Sequence, residues 1–161
     1  MPGRVYAISM TLQDVQGDLF KSSAPAIGHG VNVDSLFGPG VAALVRSKFP
    51  EVYEEYGEAI RESDLKPGQV QAVLAFREDG RPVYVLNMAT QDRPGPYARV
   101  EWIESATRDA MQFCYESGYS RLAIPRLGCG IGGLSYEKDV RPVFEKVAAE
   151  FPGVTLAVYF L

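Results

Sequence analysis

An α/β fold of three layers, with helices on both faces of a central mixed sheet, is what this sequence predicts, and three observations predict it. Short apolar runs alternate with stripes of helical period along the whole chain, the pattern of a sheet with helices packed on it. One pair of runs is joined by Glu78-Asp79-Gly80, where Asp-Gly supplies the positive φ of a tight hairpin, so that pair is antiparallel. Other runs are separated by helical stripes, which makes the sheet mixed.

The elements follow in chain order. Residues 5–15 are mostly apolar with turn residues after them and read as one strand; 26–31, apolar and rich in glycine, read as the next. From Gly40 the period lengthens. Val41, Leu44, Val45, Lys48 and Phe49 fall on one helical face, and Val52, Tyr53, Tyr56 and Ile60 mark a second helix beyond Pro50. Residues 70–76 and 82–88 are the two strands of the hairpin. After the Pro- and Gly-rich loop 92–96, Val100, Ile103, Ala106, Ala110, Met111 and Cys114 repeat at helical spacing until Gly118 supplies a stop. Residues 121–124 are a short strand and 128–133 a glycine loop. Val140, Val143, Phe144, Val147, Ala148 and Phe151 form the last stripe. Pro142 fits there with Asp139 as the cap, because the proline then lies in the first turn, where its missing N–H has no partner to lose. Residues 154–161 close the chain as a strand.

A chain of 161 residues has the length of one domain, 1–161, and can bury roughly 70% of its unfolded surface without staples. Cys114 and Cys129 are the only thiols, are not spaced like a zinc knuckle, and have only His29 as a third ligand, so neither a metal nor a cofactor is expected. With 16 Lys+Arg against 20 Asp+Glu the net charge is -4, which argues against holding nucleic acid mainly by phosphate neutralisation. A group attached to DNA remains open as a substrate. Residues 1–10 carry one Arg and no apolar run of signal-peptide length, and no uncharged stretch is long enough to span a bilayer. The expectation is a cytoplasmic monomer with no membrane partner.

In such sheets ligands sit at the carboxyl ends of strands, in the loops that lead into helices. Two loops qualify, Gly38-Pro39-Gly40-Val41-Ala42 and Gly128-Cys129-Gly130-Ile131-Gly132-Gly133. Glycines let a ligand approach the backbone, and N–H groups at a helix start suit a phosphate. Neither loop matches the Walker pattern or the dinucleotide fingerprint. Either alone reads equally as a tight connection. Two in one small domain point to an anion held by backbone dipoles, since side-chain cations are not in surplus.

Beside these loops stand Gly17-Asp18-Leu19-Phe20, His29-Gly30-Val31-Asn32-Val33-Asp34, Ile124-Pro125-Arg126-Leu127-Gly128-Cys129-Gly130 and Val158-Tyr159. From about Asp14 to the C-terminus the chain resembles the macrodomain, the ADP-ribose-binding fold. Within it the chain is similar to the branch of terminal ADP-ribose protein glycohydrolases and of bacterial antitoxin macrodomains that remove ADP-ribose from thymidine in DNA. The resemblance implies that Asp18 accepts from the adenine amino group, that Leu19 offers its N–H to the ring, and that Tyr159 stacks on it. It implies that Gly38, Gly40, Val41 and Ala42 hold the distal ribose, with Asn32 against its hydroxyls, and that His29 and Val33 also belong to the ADP-ribose site. Gly128, Cys129, Gly130, Ile131, Gly132 and Gly133 would wrap the pyrophosphate, with Pro125, Arg126 and Leu127 also in the ADP-ribose site. Read without the resemblance, Tyr159 is a core tyrosine, Asn32 a turn residue, and Arg126 pairs with a surface carboxylate as readily as with phosphate.

The chain also departs from that branch, in which a Lys after a Thr is the reactive amine and an Asp follows the Gly-Cys-Gly run. Here Thr90 is followed by Gln91, and Gly132 stands for the Asp; Ala42 replaces an Asp found in other macrodomain hydrolases. A glutamine forms no Schiff base. Release of ADP-ribose passes through an oxocarbenium-like state at the anomeric carbon. The expected catalytic residues are Asn32, Gln91 and Asp34, with Asp92 nearby, holding water together with backbone near Gly132 and the substrate's own phosphate. Carboxylate leaves well, so positioning and electrostatics supply most of the acceleration. The expected function is removal of mono-ADP-ribose from acidic side chains and from thymidine in DNA, with ADP-ribose, mono-ADP-ribosylated protein and ADP-ribosylated DNA as partners. A non-catalytic ADP-ribose reader and an ADP-ribose 1''-phosphate phosphatase are the alternatives. A thiol-protease pair of His29 and Cys129 lacks an orienting third group, and Trp102 and Phe113 read as half-buried helix residues.

Overall fold

Alternation along the strands gives one sheet two apolar faces. Leu86, Met88, Leu122, Ile124, Leu156 and Val158 are buried on one side, and Val83, Val85, Ala123, Ala157 and Tyr159 on the other, as a period of two requires. The computed structural model describes residues 3–7, 11–34, 37–38 and 40–161. Its elements are β1 (Arg4–Ala7), β2 (Leu12–Gln16), β3 (Ala26–Val31), α1 (Val41–Lys48), α2 (Pro50–Arg61), β4 (Val70–Phe76), β5 (Pro82–Ala89), α3 (Val100–Ser117), β6 (Arg121–Pro125), α4 (Arg141–Ala149) and β7 (Thr155–Phe160). The strands lie in the order β1-β2-β7-β6-β3-β5-β4. The five inner ones are parallel, and β1 and β4 are antiparallel edges. Helices α3 and α4 cover the first face and α1 and α2 the second, which is the expected three-layer α/β/α arrangement.

Local sequence explains most boundaries. On α3, Ile103, Ala106, Ala110, Met111 and Cys114 are all fully buried, worth roughly 1.5–3 kcal/mol for each large side chain. Gly118 ends that helix in the left-handed conformation, φ 75°, with its N–H on the Cys114 carbonyl. Pro50 opens α2 at the first turn, where no N–H partner is lost. In the β4–β5 hairpin Arg77 N–H donates to Arg81 O (2.9 Å), and Asp79 accepts from the Arg81 N–H (3.0 Å).

Three expectations need correction. Residues 5–15 are not one strand: β1 reverses into β2, pairing Arg4 with Gln16 and Ala7 with Gln13, and residues 8–10 lie outside the described residues. No Gly or Pro between 7 and 11 marks the reversal. Leu44 does not share the inner face of α1. It is 49% exposed, whereas Ala42, Val45 and Phe49 are buried. Asp139 does not cap the last helix, because helical winding starts earlier. Ser135 Oγ accepts from the Lys138 N–H (3.3 Å) and Asp139 Oδ2 accepts from the Ser135 N–H (2.8 Å), opening a wide turn, Tyr136–Val140, that runs into α4. Among the described residues, no helix is long and apolar enough to cross a membrane.

Candidate functional site

The carboxyl ends of β7, β6, β3 and β5 form one rim in that order, so Phe160, Arg126, Asn32 and Gln91 come from successive strand ends. A cleft of about 360 Å³ opens on this rim. Its walls are residues 30–32 after β3, Gly38 and residues 40–42 at the start of α1, Thr90, Gln91, Pro94 and Gly95 after β5, and residues 125–128 and 130–132 after β6. Pro39 lies outside the described residues. A larger hollow of about 710 Å³ runs along α2, but that helix alone lines it, and Glu51, Glu54, Glu55 and Glu58 would repel an anion.

The cleft is built chiefly of backbone. Gly40, φ 77°, caps α1 without a side-chain acceptor, and no acidic residue occupies the first turn, so that helix start presents N–H groups to whatever enters. On the opposite wall Leu134 N–H donates to Gly128 O (2.9 Å) and Cys129 N–H to Arg126 O (3.2 Å), folding 126–134 into a tight loop. A Cβ at Gly132 would fall 2.7 Å from the Gly128 carbonyl oxygen and 2.9 Å from Ala98 Cβ. No side chain fits at 132 unless the loop moves.

Arg126 is the only charged side chain among the described lining residues. It pairs with no carboxylate among the described residues. Its guanidinium lies between the rings of Tyr136 and Phe160, 4.3 Å from each centroid, and its buried Nε has no hydrogen-bond partner in the protein. Tyr136 is fixed in turn by donating its hydroxyl to Asp14 Oδ1 (2.8 Å). Burial and that carboxylate push the Tyr136 phenol far up. Phe160 holds the Arg126 guanidinium from β7, a role that the sequence did not single out, because a terminal-strand aromatic carries no signal of its own.

Asn32 is a buried cleft residue with a fixed orientation. Its Oδ1 accepts from the Asp34 N–H (3.0 Å), and the Tyr56 hydroxyl donates in bifurcated fashion to Asn32 O (2.8 Å) and Oδ1 (3.2 Å). The Asn32 amide oxygen therefore faces the protein. Tyr56, on the inner face of α2, reads from spacing as core only, and nothing in its spacing marks the hydroxyl. Gln91 also lines the cleft, but its Nε2 donates to the carbonyls of Arg93 (2.6 Å) and Gly95 (3.0 Å). It braces the 91–97 loop, its amide donors taken up by those two carbonyls.

Other expected site residues lie off the described walls. Asp34 is exposed and reaches Asn32 only through its backbone N–H. Asp92 lies 3.8 Å from Arg93 Nε. Val33 is half-buried against the Val31, Tyr56 and Ala59 cluster. Gly133 faces Pro96. Asp18 accepts from the Phe20 N–H (2.9 Å) as cap of the short turn Leu19–Lys21. Leu19 and Tyr159 belong to the core on the α1–α2 side, and Tyr159, 9% exposed, presents little ring surface for stacking. The Cys129 thiol donates to Leu127 O (3.3 Å) and burial raises its pKa to about 11.

The His29 side chain is fully buried, and His29 is not among the described residues that line the cleft. Its Nε2 bonds Asn87 Oδ1 (2.6 Å), Asn87 Nδ2 donates to Gln71 Oε1 (3.0 Å), and Gln71 Nε2 donates to Glu55 O on α2 (2.9 Å). The order of donors puts the imidazole proton on Nε2 and leaves Nδ1 bare. Burial holds the imidazole neutral, with a pKa lowered to about 4. No thiol–imidazole pair exists. Among the described residues no group of three His, Cys, Asp or Glu side chains is placed to hold a metal ion.

Residues 28–142 match the Macro domain family. The chain is 31% identical over 148 residues to the ADP-ribose glycohydrolase OARD1 of Homo sapiens, covering 91% of this chain and 90% of that one. It is 31% identical over 152 residues to a DNA ADP-ribosyl transferase-DNA ADP-ribosyl glycohydrolase fusion protein of Thermosipho africanus, covering 84% of this chain and 39% of that one. Thermosipho africanus DarTG in complex with ADP-ribose superposes with a TM-score of 0.87 at 26% identity, over 99% of this chain and 44% of that one. The chain spans about two fifths of the length of the curated relatives named for DNA ADP-ribosyl glycohydrolase activity.

Proposed function

The chain belongs to the macro domain family, and from that premise we propose that it is an ADP-ribosyl hydrolase, binding ADP-ribose in the rim cleft and releasing it from modified acidic side chains and from thymidine in DNA. The observation that carries the reading is the cleft itself: two glycine loops and the uncapped start of α1 converge with a single cation, Arg126, in a chain of net charge -4. Such a site holds a pyrophosphate with backbone dipoles and one guanidinium. The adenosine end lies toward Phe160 and Arg126 and the distal ribose toward Asn32 and Gln91, following the strand order.

The chemistry follows from what the walls lack. Among the described lining residues there is no Lys, His, Cys, Asp or Glu to serve as nucleophile or base. The bond from the anomeric carbon to the acceptor breaks with the electron pair leaving on the acceptor, and the oxocarbenium-like centre is stabilised by the substrate's own phosphates. Water adds to that carbon, oriented by the Gln91 amide oxygen and the Asn32 amide, and its proton passes to the departed acceptor or to solvent. Residues 1–161 act as one domain and as a monomer.

The test is incubation with a glutamate-linked mono-ADP-ribosylated protein and, separately, a thymidine-linked ADP-ribosylated oligonucleotide, following free ADP-ribose. Release from either, undiminished by chelator and with no borohydride-trapped adduct, is the expected result. Binding of ADP-ribose by calorimetry without any release would make the domain a reader.

A further inference from the structure

The cleft carries a hydroxyl that folding leaves unused, and we propose that Thr90 Oγ1 holds the water that attacks the anomeric carbon. The proposal rests on the hydrolase reading above and names an acceptor that this water needs. Thr90 directly follows β5, whose last residue Ala89 pairs with Val31 of β3. Its N–H donates to Val31 O (3.0 Å) and its carbonyl accepts from the Arg99 N–H (3.3 Å), so Thr90 and Asn32 leave adjacent strand ends side by side. Both backbone groups are thus occupied. The side chain is not: Thr90 is 2% exposed, yet its hydroxyl has no hydrogen-bond partner among the described residues. A Cβ at Gly30 would lie 3.1 Å from that Oγ1 and 3.6 Å from Leu127 Cδ2, and all three residues line the cleft. The glycine at 30 therefore keeps the hydroxyl uncovered. By contrast the hydroxyls of Ser22, Tyr56, Ser105 and Tyr136 are each bonded within the protein.

A water whose oxygen is aimed at carbon must give its two protons to acceptors. Among the described lining residues three side chains carry an oxygen, those of Asn32, Thr90 and Gln91. Asn32 Oδ1 already accepts from the Asp34 N–H and the Tyr56 hydroxyl. Thr90 Oγ1 therefore joins the Gln91 oxygen as the second acceptor, which leaves the water one lone pair for a donor and one for the carbon. The water oxygen bonds to the anomeric carbon as the bond to the acceptor breaks with its electron pair. One water proton leaves for the departed acceptor or for solvent, and Thr90 keeps its own throughout. A hydroxyl withheld from bulk water without a partner costs stability, and a water bound beside it offsets that cost.

The test is single-turnover release of ADP-ribose from the two substrates above, with calorimetry of ADP-ribose binding and thermal scans, on the wild-type protein, Thr90→Val and Thr90→Ser. Thr107→Val is the control, since the Thr107 hydroxyl also lacks a partner but lies on the inner face of α3, off the cleft walls. Thr90→Val should slow release about 10-fold, the size of one neutral hydrogen bond, with ADP-ribose affinity unchanged. Its Tm should stay at or above that of the wild type, because valine has the same shape and no unbonded hydroxyl. Thr90→Ser, which keeps the hydroxyl, should restore most of the rate, and Thr107→Val should leave it unchanged. A wild-type rate in Thr90→Val, a parallel loss of rate and affinity, a clear fall in its Tm, or a serine variant as slow as the valine one would each overturn the proposal. Failure of the hydrolase reading looks different: the wild-type protein itself releases no ADP-ribose, and the role of Thr90 falls with it.

Discussion

Tyr56 fixes the direction in which Asn32 faces, and two substitutions separate their roles. Asn32→Ala should slow release by about 100-fold, the size of losing one positioned donor, while ADP-ribose affinity changes little. Tyr56→Phe should cost about 5-fold in kcat, because a neutral hydrogen bond is lost but the amide stays. Single-turnover assays with calorimetry check both, and equal losses in kcat and affinity would refute the assignment. Gln91 carries a different expectation. Gln91→Ala releases the carbonyls of Arg93 and Gly95, so it should weaken ADP-ribose binding as well as turnover. Gly132→Asp should not restore the chemistry of the resembling branch. It should destabilise the fold by about 1–3 kcal/mol in urea titration, as overpacking does. With no titratable group besides Arg126 among the described lining residues, kcat/KM should stay flat between about pH 6 and 9, where a lysine or histidine base would give a sloping limb.

Three strands and a helix are tied by the ladder from His29 through Asn87 and Gln71 to Glu55, and it gives the elements a pH dependence. The folded imidazole has a pKa of about 4 against about 6.5 unfolded, so between those values the unfolded chain binds the extra proton. Stability is therefore complete above about pH 6.5 and falls as pH drops toward 4, by about 3 kcal/mol in all. His29→Gln should flatten that slope in denaturant titrations. Since the chain has one histidine, its single imidazole proton resonance should also stay unshifted down to about pH 5. Much at this scale was legible in the sequence. The Asp-Gly turn, Gly118 and Pro50 each impose a backbone state, so the β4–β5 hairpin, α3 and α2 stand where they were expected. Where side-chain contacts decide, the sequence was silent: the β1–β2 reversal has no punctuation, and Ser135 opens its turn through a bond with Asp139. The same holds in the site. Glycine loops are visible as spacing, but the bonds between Tyr56 and Asn32 and the stack of Arg126 on Phe160 join residues far apart in the chain.

For the whole molecule, the cleft joins both halves of the core, since its walls come from β3, β5, β6 and α1. Ligand binding should then stabilise the fold as one unit. ADP-ribose at about 100 times its Kd should add about 2.7 kcal/mol, which for a chain of this size is a rise of roughly 5–10 °C in Tm. Calorimetric scans with and without ADP-ribose check this, and a shift confined to part of the transition would mean the cleft is not coupled to the core. The closed turn at Gly132 has a further consequence for descent. A lineage moving between this site and one that uses a lysine and an aspartate must alter Gln91 and Gly132 together with the turn around Gly128. Each change alone loosens or overfills a loop, so stepwise exchange is expected to pass through less stable chains, with the two chemistries on separate peaks and a valley between them.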